Sequence, residues 1–315
     1  MTDPHPLADR RTQKALLFTA FLVAGEVLLI TGSAGFFRAM NGDIPADLLT
    51  GLLPDPADPA LRAEALHGRL AWIVSVVVAL FASVGATLLA VTKILKEAPP
   101  LRGWLLIAVA VLALVTAYVA SLSDVSREIL QRPVLEPTLG SFAVGGIDIA
   151  GSFAKIRQLV NALFSAATVA LVVALAARAA VGPTQAAMQG EALNLRERFA
   201  DLHELLLGAA AVLISIVVTM AAWLTWPTAG LADDSAAFGL IMHLARGIGL
   251  YWGTVFSLCL VLAYLPCVAY LKQLAAGDAA ALAEAGNGGK QIKLVQDVVA
   301  LLSPFVSALI PVFLI

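Results

Sequence analysis

The chain has 315 residues, of which 60% are hydrophobic and 13% are charged, and its formal net charge is -2. A soluble domain carries roughly 25% charged residues, and a water-soluble globule of this size could not bury so much apolar surface. The composition therefore indicates an integral membrane protein, and the near-neutral charge argues against a nucleic-acid partner, which would need a basic face.

Six apolar segments are long enough to cross a bilayer, which takes about 20 residues of helix. They are residues 15–35, 70–92, 103–122, 158–177, 205–226 and 247–271. We therefore predict an all-α integral membrane protein in which residues 15–272 form a bundle of six transmembrane helices. The first segment follows three basic residues, as a signal peptide does. Its apolar part exceeds the roughly 7–15 residues of a signal peptide, which favours an uncleaved anchor.

The distribution of Lys and Arg predicts the orientation. If residues 1–14 are cytoplasmic, the inner segments hold twelve Lys and Arg and the outer segments hold eight. The positive-inside rule therefore predicts a cytoplasmic N-terminus. The richness in Ala, Val and Leu is typical of a GC-rich bacterial genome. Together these features predict a multi-pass protein of a bacterial cytoplasmic (inner) membrane, with the lipid bilayer as its surroundings.

Two long outer loops are predicted, at residues 36–69 and 124–157. The first carries four aspartates, which could suggest a calcium site. They lack the alternate spacing and the closing Glu of a calcium-binding loop, so we predict an acidic, solvated surface and no metal. They are Asp43, Asp47, Asp55 and Asp58.

The inner connection between the fourth and fifth spans carries a coiled-coil-like seam. Its apolar residues recur at intervals of 4, 3, 4, 3 and 4, and they are Met188, Ala192, Leu195, Phe199, Leu202 and Leu206. We predict one helix over residues 185–226, with residues 184–204 projecting into the cytoplasm. The seam then binds a second copy or a cytoplasmic protein, or it packs on the same chain. Arg198 and Asp201 lie off the seam, so we expect them to be exposed and their replacement to cost little.

Residues 273–315 are predicted to form a cytoplasmic linker and an apolar C-terminal helix. The last 18 residues, 298–315, are uncharged and would reach about 27 Å as a helix, barely enough to cross a membrane. Pro304 and Pro311 each remove a backbone donor from that helix. A membrane-embedded or interfacial helix is the first interpretation, and a seventh span is the alternative.

Glu26 is the one ionisable residue well inside a predicted span. A carboxylate at that depth costs several kcal/mol unless it is paired or protonated, so an acid there is a functional candidate by default. The functional hypothesis for Glu26 is a proton or cation site. The alternative is a neutral Glu26 bonded to a polar neighbour, for which the candidates are Thr87, Thr116, Ser165 and Tyr264.

The sequence contains no enzyme motif that we recognise, and its four histidines lie outside the predicted bilayer depth. We therefore expect no cofactor and no metal centre. The leading hypothesis is a non-enzymatic module, a pore-like, anchoring or signal-relaying subunit that acts with a partner or as an oligomer. The alternative is a proton- or cation-coupled transporter or channel that uses Glu26.

Overall fold

The fold is a bundle of α-helices in the part of the chain that the computed structural model describes, residues 6–40, 59–97, 99–122, 149–189, 194–226, 228, 236–275 and 290–314. The helices are α1 (Pro6–Met40), α2 (Pro59–Leu95), α3 (Pro99–Leu122), α4 (Ile149–Ala176), α5 (Gly182–Gln189), α6 (Leu195–Thr225), α7 (Ala236–Ala275) and α8 (Lys290–Leu314). A π-helical turn, Ala177–Val181, joins α4 directly to α5.

Five of the described helices are long and apolar enough to cross a membrane. Their apolar stretches are Gln13–Ser33, Leu66–Leu95, Lys155–Thr184, Leu195–Trp223 and Phe238–Leu274. Large apolar side chains such as Phe21 and Phe81 are 77% and 76% exposed on the bundle surface, as lipid contact requires and water does not favour. The all-helical class is therefore confirmed, and five of its helices could span a membrane, while the count of six spans stays a prediction.

α4 and the π-helical turn lie at the centre of the bundle, and every residue from 169 to 184 is buried. Around them pack α2, α3 and α6, with α1 and α7 close by. Ala167, Ala170 and Ala174 are fully buried along α4. Such small side chains let helix backbones approach closely, which is how helices associate where lipid removes the usual hydrophobic driving force.

α8 packs along α7 and α6 as part of the same bundle. The approach to α7 is close at Gly253, where an added Cβ would lie 2.5 Å from Cβ of Ala308 and 2.8 Å from the carbonyl oxygen of Pro304. Only glycine fits there without moving α8. The C-terminal helix is thus held by the bundle, and whether it crosses the membrane stays a prediction.

The proline in the middle of α8 is accommodated by two serines. Pro304 has no N–H for the carbonyl of Ala300, and the hydroxyl of Ser303 donates to that carbonyl instead, at 2.7 Å. The next backbone N–H, that of Phe305, donates to Oγ of Ser257 on α7, at 3.1 Å. These bonds keep the backbone groups satisfied and fasten α8 to α7.

The structure differs from the predicted continuous helix over residues 185–226. α5 ends at Gln189, and a separate helix, α6, begins at Leu195. Asn194 caps α6, because its side chain accepts a hydrogen bond from the backbone N–H of Glu197 at 3.1 Å and its own backbone is not helical. Pro183 and Thr184 are buried, so the start of the segment 184–204 lies against the bundle and does not project from it.

Helix also extends into the two predicted outer loops. α1 continues to Met40 and α2 begins at Pro59, both inside the predicted loop 36–69, and α4 begins at Ile149, inside the loop 124–157. The four aspartates of the first loop, the linker 276–289 and Ala192 lie outside the described residues.

Candidate functional site

Glu26 lies on the buried side of α1, with 5% of its surface exposed. The thiol of Cys259 on α7 is within hydrogen-bonding reach of its carboxyl group. Among the described residues, Oε1 of Glu26 has no hydrogen-bond partner. Two of the neighbours considered from sequence, Thr87 and Thr116, bond instead to carbonyl groups of their own helices, at 2.8 and 2.9 Å.

Glu26 lines a cavity between α1, α4, α6 and α7. The space open to the centre of a water molecule is about 30 Å³, room for about two waters. Most of the lining is apolar, and its four polar side chains are Glu26, Thr168, Cys259 and Tyr264. The hydroxyl of Thr168 donates to the carbonyl of Phe164 at 2.9 Å, which leaves its oxygen able to accept. The cavity thus has room for water beside the carboxyl group, although nearly all of the surface that it presents is apolar.

A chain of hydrogen bonds leads from the cavity toward one end of the bundle. The hydroxyl of Tyr264 donates to Oδ2 of Asp297 on α8, at 3.1 Å. Oδ1 of the same carboxylate lies 2.7 Å from Nδ1 of His203 on α6. Tyr264 belongs to the cavity lining, whereas the side chains of His203 and Asp297 are 23% and 24% exposed. Three helices therefore contribute one group each to a path from the surface to the cavity.

Eight charged residues of the described chain lie at the same end of α6 and form what we name the charged cluster. Its members are Lys93, Lys96, Glu97, Arg178, Glu197, Arg198, Asp201 and Glu204. Four are cationic and four are anionic, so the cluster is neutral as a whole. Lys93 bonds to Asp201 at 2.5 Å and also to Glu204, which joins the end of α2 to α6.

Arg178 stands at the centre of the charged cluster, in the π-helical turn, and is 4% exposed. Its Nη1 donates to Oε1 of Glu97 at 2.8 Å. Its Nη2 lies 2.6 Å from Oδ2 of Asp201, an ion pair whose angles are not those of a hydrogen bond. The forked guanidinium thus holds one carboxylate from α6 and one from the segment that follows α2, the geometry that favours Arg over Lys at buried ion pairs.

Gly182 allows the charged cluster to sit against the central helix. An added Cβ there would lie 2.1 Å from Oε2 of Glu97 and 2.7 Å from Nη1 of Arg198. Any larger residue would push the Glu97 carboxylate out of its place beside Arg178. The π-helical turn and the glycine after it therefore act together in positioning the buried charges.

The expectation that Arg198 and Asp201 are exposed is wrong. Asp201 is 2% exposed and pairs with a lysine and an arginine, and Arg198 donates to the backbone carbonyl of Arg178 at 3.2 Å. Asp201 immediately precedes Leu202, so it lies about 100° from the seam around the helix, which turns once in 3.6 residues. That face of α6 meets α2, a neighbour that periodicity along one helix does not reveal.

The seam residues that the structure describes pack inside the same chain. Leu195, Leu202 and Leu206 are 4%, 0% and 0% exposed and belong to the main core, and Phe199 packs against it. The side chain of Met188 and all of Ala192 lie outside the described residues. Of the two interpretations of the seam, contact within one chain is the arrangement seen for these four residues.

Sequence reasoning found Glu26 but missed the path through Tyr264, Asp297 and His203. A signal was present, because Asp297 is the last charged residue before the apolar C-terminus and His203 lies two residues before the fifth predicted span. No group of three or more His, Cys, Asp or Glu among the described residues is arranged to hold a metal ion.

Comparison with known proteins gives no match to a family model, to a curated protein or to a solved structure.

Proposed function

We propose that this chain is a multi-pass membrane protein that carries an ion through its helical bundle, with Glu26 as the group that binds the ion. One observation carries the proposal. A carboxyl group that is 5% exposed lines a cavity inside the bundle, and one of its oxygens has no hydrogen-bond partner among the described residues. Buried polar groups with a purely structural role are nearly always hydrogen-bonded, and intramembrane acids are costly and typically functional.

The chemistry of the cavity favours a proton over a metal cation. A hard cation such as Ca²⁺ takes about 6–8 oxygen ligands. The side chains that line the cavity offer oxygens only from Glu26, Thr168 and Tyr264. A proton needs a single acceptor and a route of hydrogen-bonding groups, and this lining supplies both. We therefore propose a proton-coupled transporter or channel.

For the threading we propose six spans, with a cytoplasmic N-terminus in a bacterial inner membrane. The span added to the five long apolar helices is α3, the third in chain order, whose 24 residues would reach about 36 Å, longer than a hydrocarbon core of about 30 Å. On this threading the charged cluster and His203 lie at the cytoplasmic side. The support is the Lys and Arg distribution of the sequence.

The hypothesis of a module that acts with a partner or as an oligomer stays a prediction. The seam that motivated it is occupied by contacts within the chain at Leu195, Phe199, Leu202 and Leu206. A partner would therefore have to use another surface of the bundle.

The proposal is tested by proton flux into proteoliposomes that contain the purified chain and a pH-sensitive dye, driven by a membrane potential. We expect the wild type to acidify the vesicles faster than protein-free vesicles do. Glu26→Gln keeps the shape of the side chain and removes the exchangeable proton, so its flux should fall to the protein-free level. The matched control is Glu64→Gln, which changes an exposed carboxyl group of α2 and should leave the flux unchanged.

Equal fluxes in the wild type and Glu26→Gln would overturn the role of Glu26. A wild-type flux no greater than that of protein-free vesicles would overturn proton carriage itself. Replacing the alkali cations of the buffer by a bulky organic cation separates the two ions, because a proton flux persists in that buffer and a metal-cation flux does not.

A further inference from the structure

We propose that His203, Asp297 and Tyr264 form the path along which protons pass between the charged end of the bundle and the Glu26 cavity. This inference rests on the proposed function, which it deepens by naming the entrance and the order of the groups. The observation behind it is the unbroken sequence of contacts, Nδ1 of His203 to Oδ1 of Asp297 and Oδ2 of Asp297 to the Tyr264 hydroxyl, which ends on the wall of the cavity.

The outer two groups of this path are partly exposed and the inner two are buried. The side chains of His203 and Asp297 are 23% and 24% exposed, Tyr264 is 6% exposed, and Glu26 is 5% exposed. A proton can therefore leave water at the His203–Asp297 pair and move inward to the buried pair.

Each step transfers one proton and leaves the heavy-atom bonds unchanged. His203 takes a proton from bulk water at Nε2, and the proton on its Nδ1 passes to Oδ1 of Asp297. A half-turn of the carboxyl group brings that proton to the Tyr264 side. The Tyr264 hydroxyl, which donates to Oδ2 of Asp297 at rest, turns toward the cavity and releases its proton to a water there while its oxygen accepts the proton of Asp297. That water hands a proton to Glu26, so the three relay groups carry as many protons as they began with and Glu26 has gained one.

The other charged groups near the entrance are engaged elsewhere. On α6, Asp201 and Glu204 flank His203 in sequence, but both bond to Lys93 of α2. Within the described part of the chain, His203 and Asp297 pair with each other and with no member of the charged cluster. The His203–Asp297 pair, on the α8 side of α6, is thus separate from the charged cluster, on the α2 side. Of these described charges, only the His203–Asp297 pair is linked by hydrogen bonds to the lining of the cavity.

The test follows the carbonyl stretch of the Glu26 carboxyl group by infrared spectroscopy after a rapid change from alkaline to acidic buffer. The band is assigned by its loss in Glu26→Gln. Tyr264→Phe removes a single oxygen from the path, and we expect it to slow the protonation of Glu26 by roughly 100-fold, the lower range for a positioned proton-transfer group. Asp297→Asn, which keeps the shape of the side chain, should slow it similarly.

The matched control is Tyr251→Phe, on the same helix. Its hydroxyl donates to the carbonyl oxygen of Ser33 at 2.6 Å, so it ties α7 to α1 in the way that Tyr264 ties α7 to α8. We expect the protonation rate to be unchanged in this variant. A rate that is the same in Tyr264→Phe, Asp297→Asn and the wild type would overturn the path.

This readout separates the path from the proposed function. If the protonation rate of Glu26 depends on Tyr264 but the protein shows no net proton flux, the path is supported and transport is overturned. If the flux is normal and the protonation rate is the same with and without the Tyr264 hydroxyl, transport is supported and the path is overturned. Absence of any Glu26 band would overturn both.

Discussion

Asp201 shows how a single side chain can depend on partners from two other helices. It lies 2.5 Å from Nζ of Lys93 and 2.6 Å from Nη2 of Arg178, and it is 2% exposed. Taking such charges out of water costs several kcal/mol for each ion, and their mutual attraction offsets that cost only while every partner is present. Removal of one member therefore does more harm than its own contacts suggest, because the remaining charges stay buried and uncompensated.

We predict that Asp201→Asn lowers the free energy of unfolding by about 3–5 kcal/mol, the range for breaking a buried ion pair. Glu197→Gln should lower it by about 0–1 kcal/mol, because that carboxylate is 45% exposed and its pair with Lys96 is screened by solvent. Unfolding of the purified variants in mixed micelles with increasing SDS measures both values. Equal losses in the two variants would contradict the burial argument.

At the scale of the helix, the contact between α7 and α8 depends on the absence of a side chain at Gly253. An added Cβ there would be 2.5 Å from Cβ of Ala308, whereas at Gly247, on the same helix, nothing lies within 4 Å. The two glycines therefore differ in what they permit. The missing side chain at Gly253 lets α7 and α8 approach closely, whereas Gly247 approaches no described residue of another helix.

We predict that Gly253→Val displaces α8 from α7 at a cost of about 1–3 kcal/mol, the usual range for inserting volume into a packed site. Hydrogen–deuterium exchange should then rise across residues 290–314. Gly247→Val adds the same side chain at an exposed position of α7 and should leave the exchange of α8 unchanged. Unaltered exchange in Gly253→Val would show that α8 is held elsewhere.

Periodicity along the chain predicted which face of a helix is apolar but could not predict what covers it. The seam at Leu195, Leu202 and Leu206 is apolar as expected, and its cover is the core of the same chain. The helix break at Asn194 was missed because the apolar spacing runs through it, although Asn three residues before Glu is a capping signal. Glu26 was visible because one charge in an apolar run stands out.

The path through Tyr264, Asp297 and His203 could not be predicted because its members lie on three helices. Asp297 is 33 residues from Tyr264 and 94 residues from His203 in sequence. No local spacing rule links residues so far apart. Only the packing of α8 against α6 and α7 brings them into contact, and that packing depends on the fit at Gly253.

At the scale of the molecule, the threading is testable with single cysteines placed at Ser123, Ala192 and Ile315, after Cys259 and Cys267 are replaced by Ala. We predict that positions 123 and 192 react with a membrane-impermeant thiol reagent from opposite sides, because one follows the third span and the other precedes the fifth. Position 315 should react from neither side if α8 is embedded without crossing, because α8 lies antiparallel along α7 from the Tyr264–Asp297 contact to the Gly253–Ala308 approach. Labelling of 123 and 192 from one side would contradict six spans, and labelling of 315 with 123 would make α8 a seventh.

The charged cluster also joins residues that the ribosome makes at very different times. Lys93 is completed 108 residues before its partner Asp201, which at about 5–20 residues per second is a delay of roughly 5–20 s. On the proposed threading, α2 enters the membrane during that interval without its partner, and Lys and Arg in cytoplasmic segments are the residues that set orientation. The same side chain would then act first as an orientation signal in the nascent chain and only later as a structural ion pair. Loss of Asp201 would leave the first role intact and leave Lys93 with Glu204 as its remaining partner.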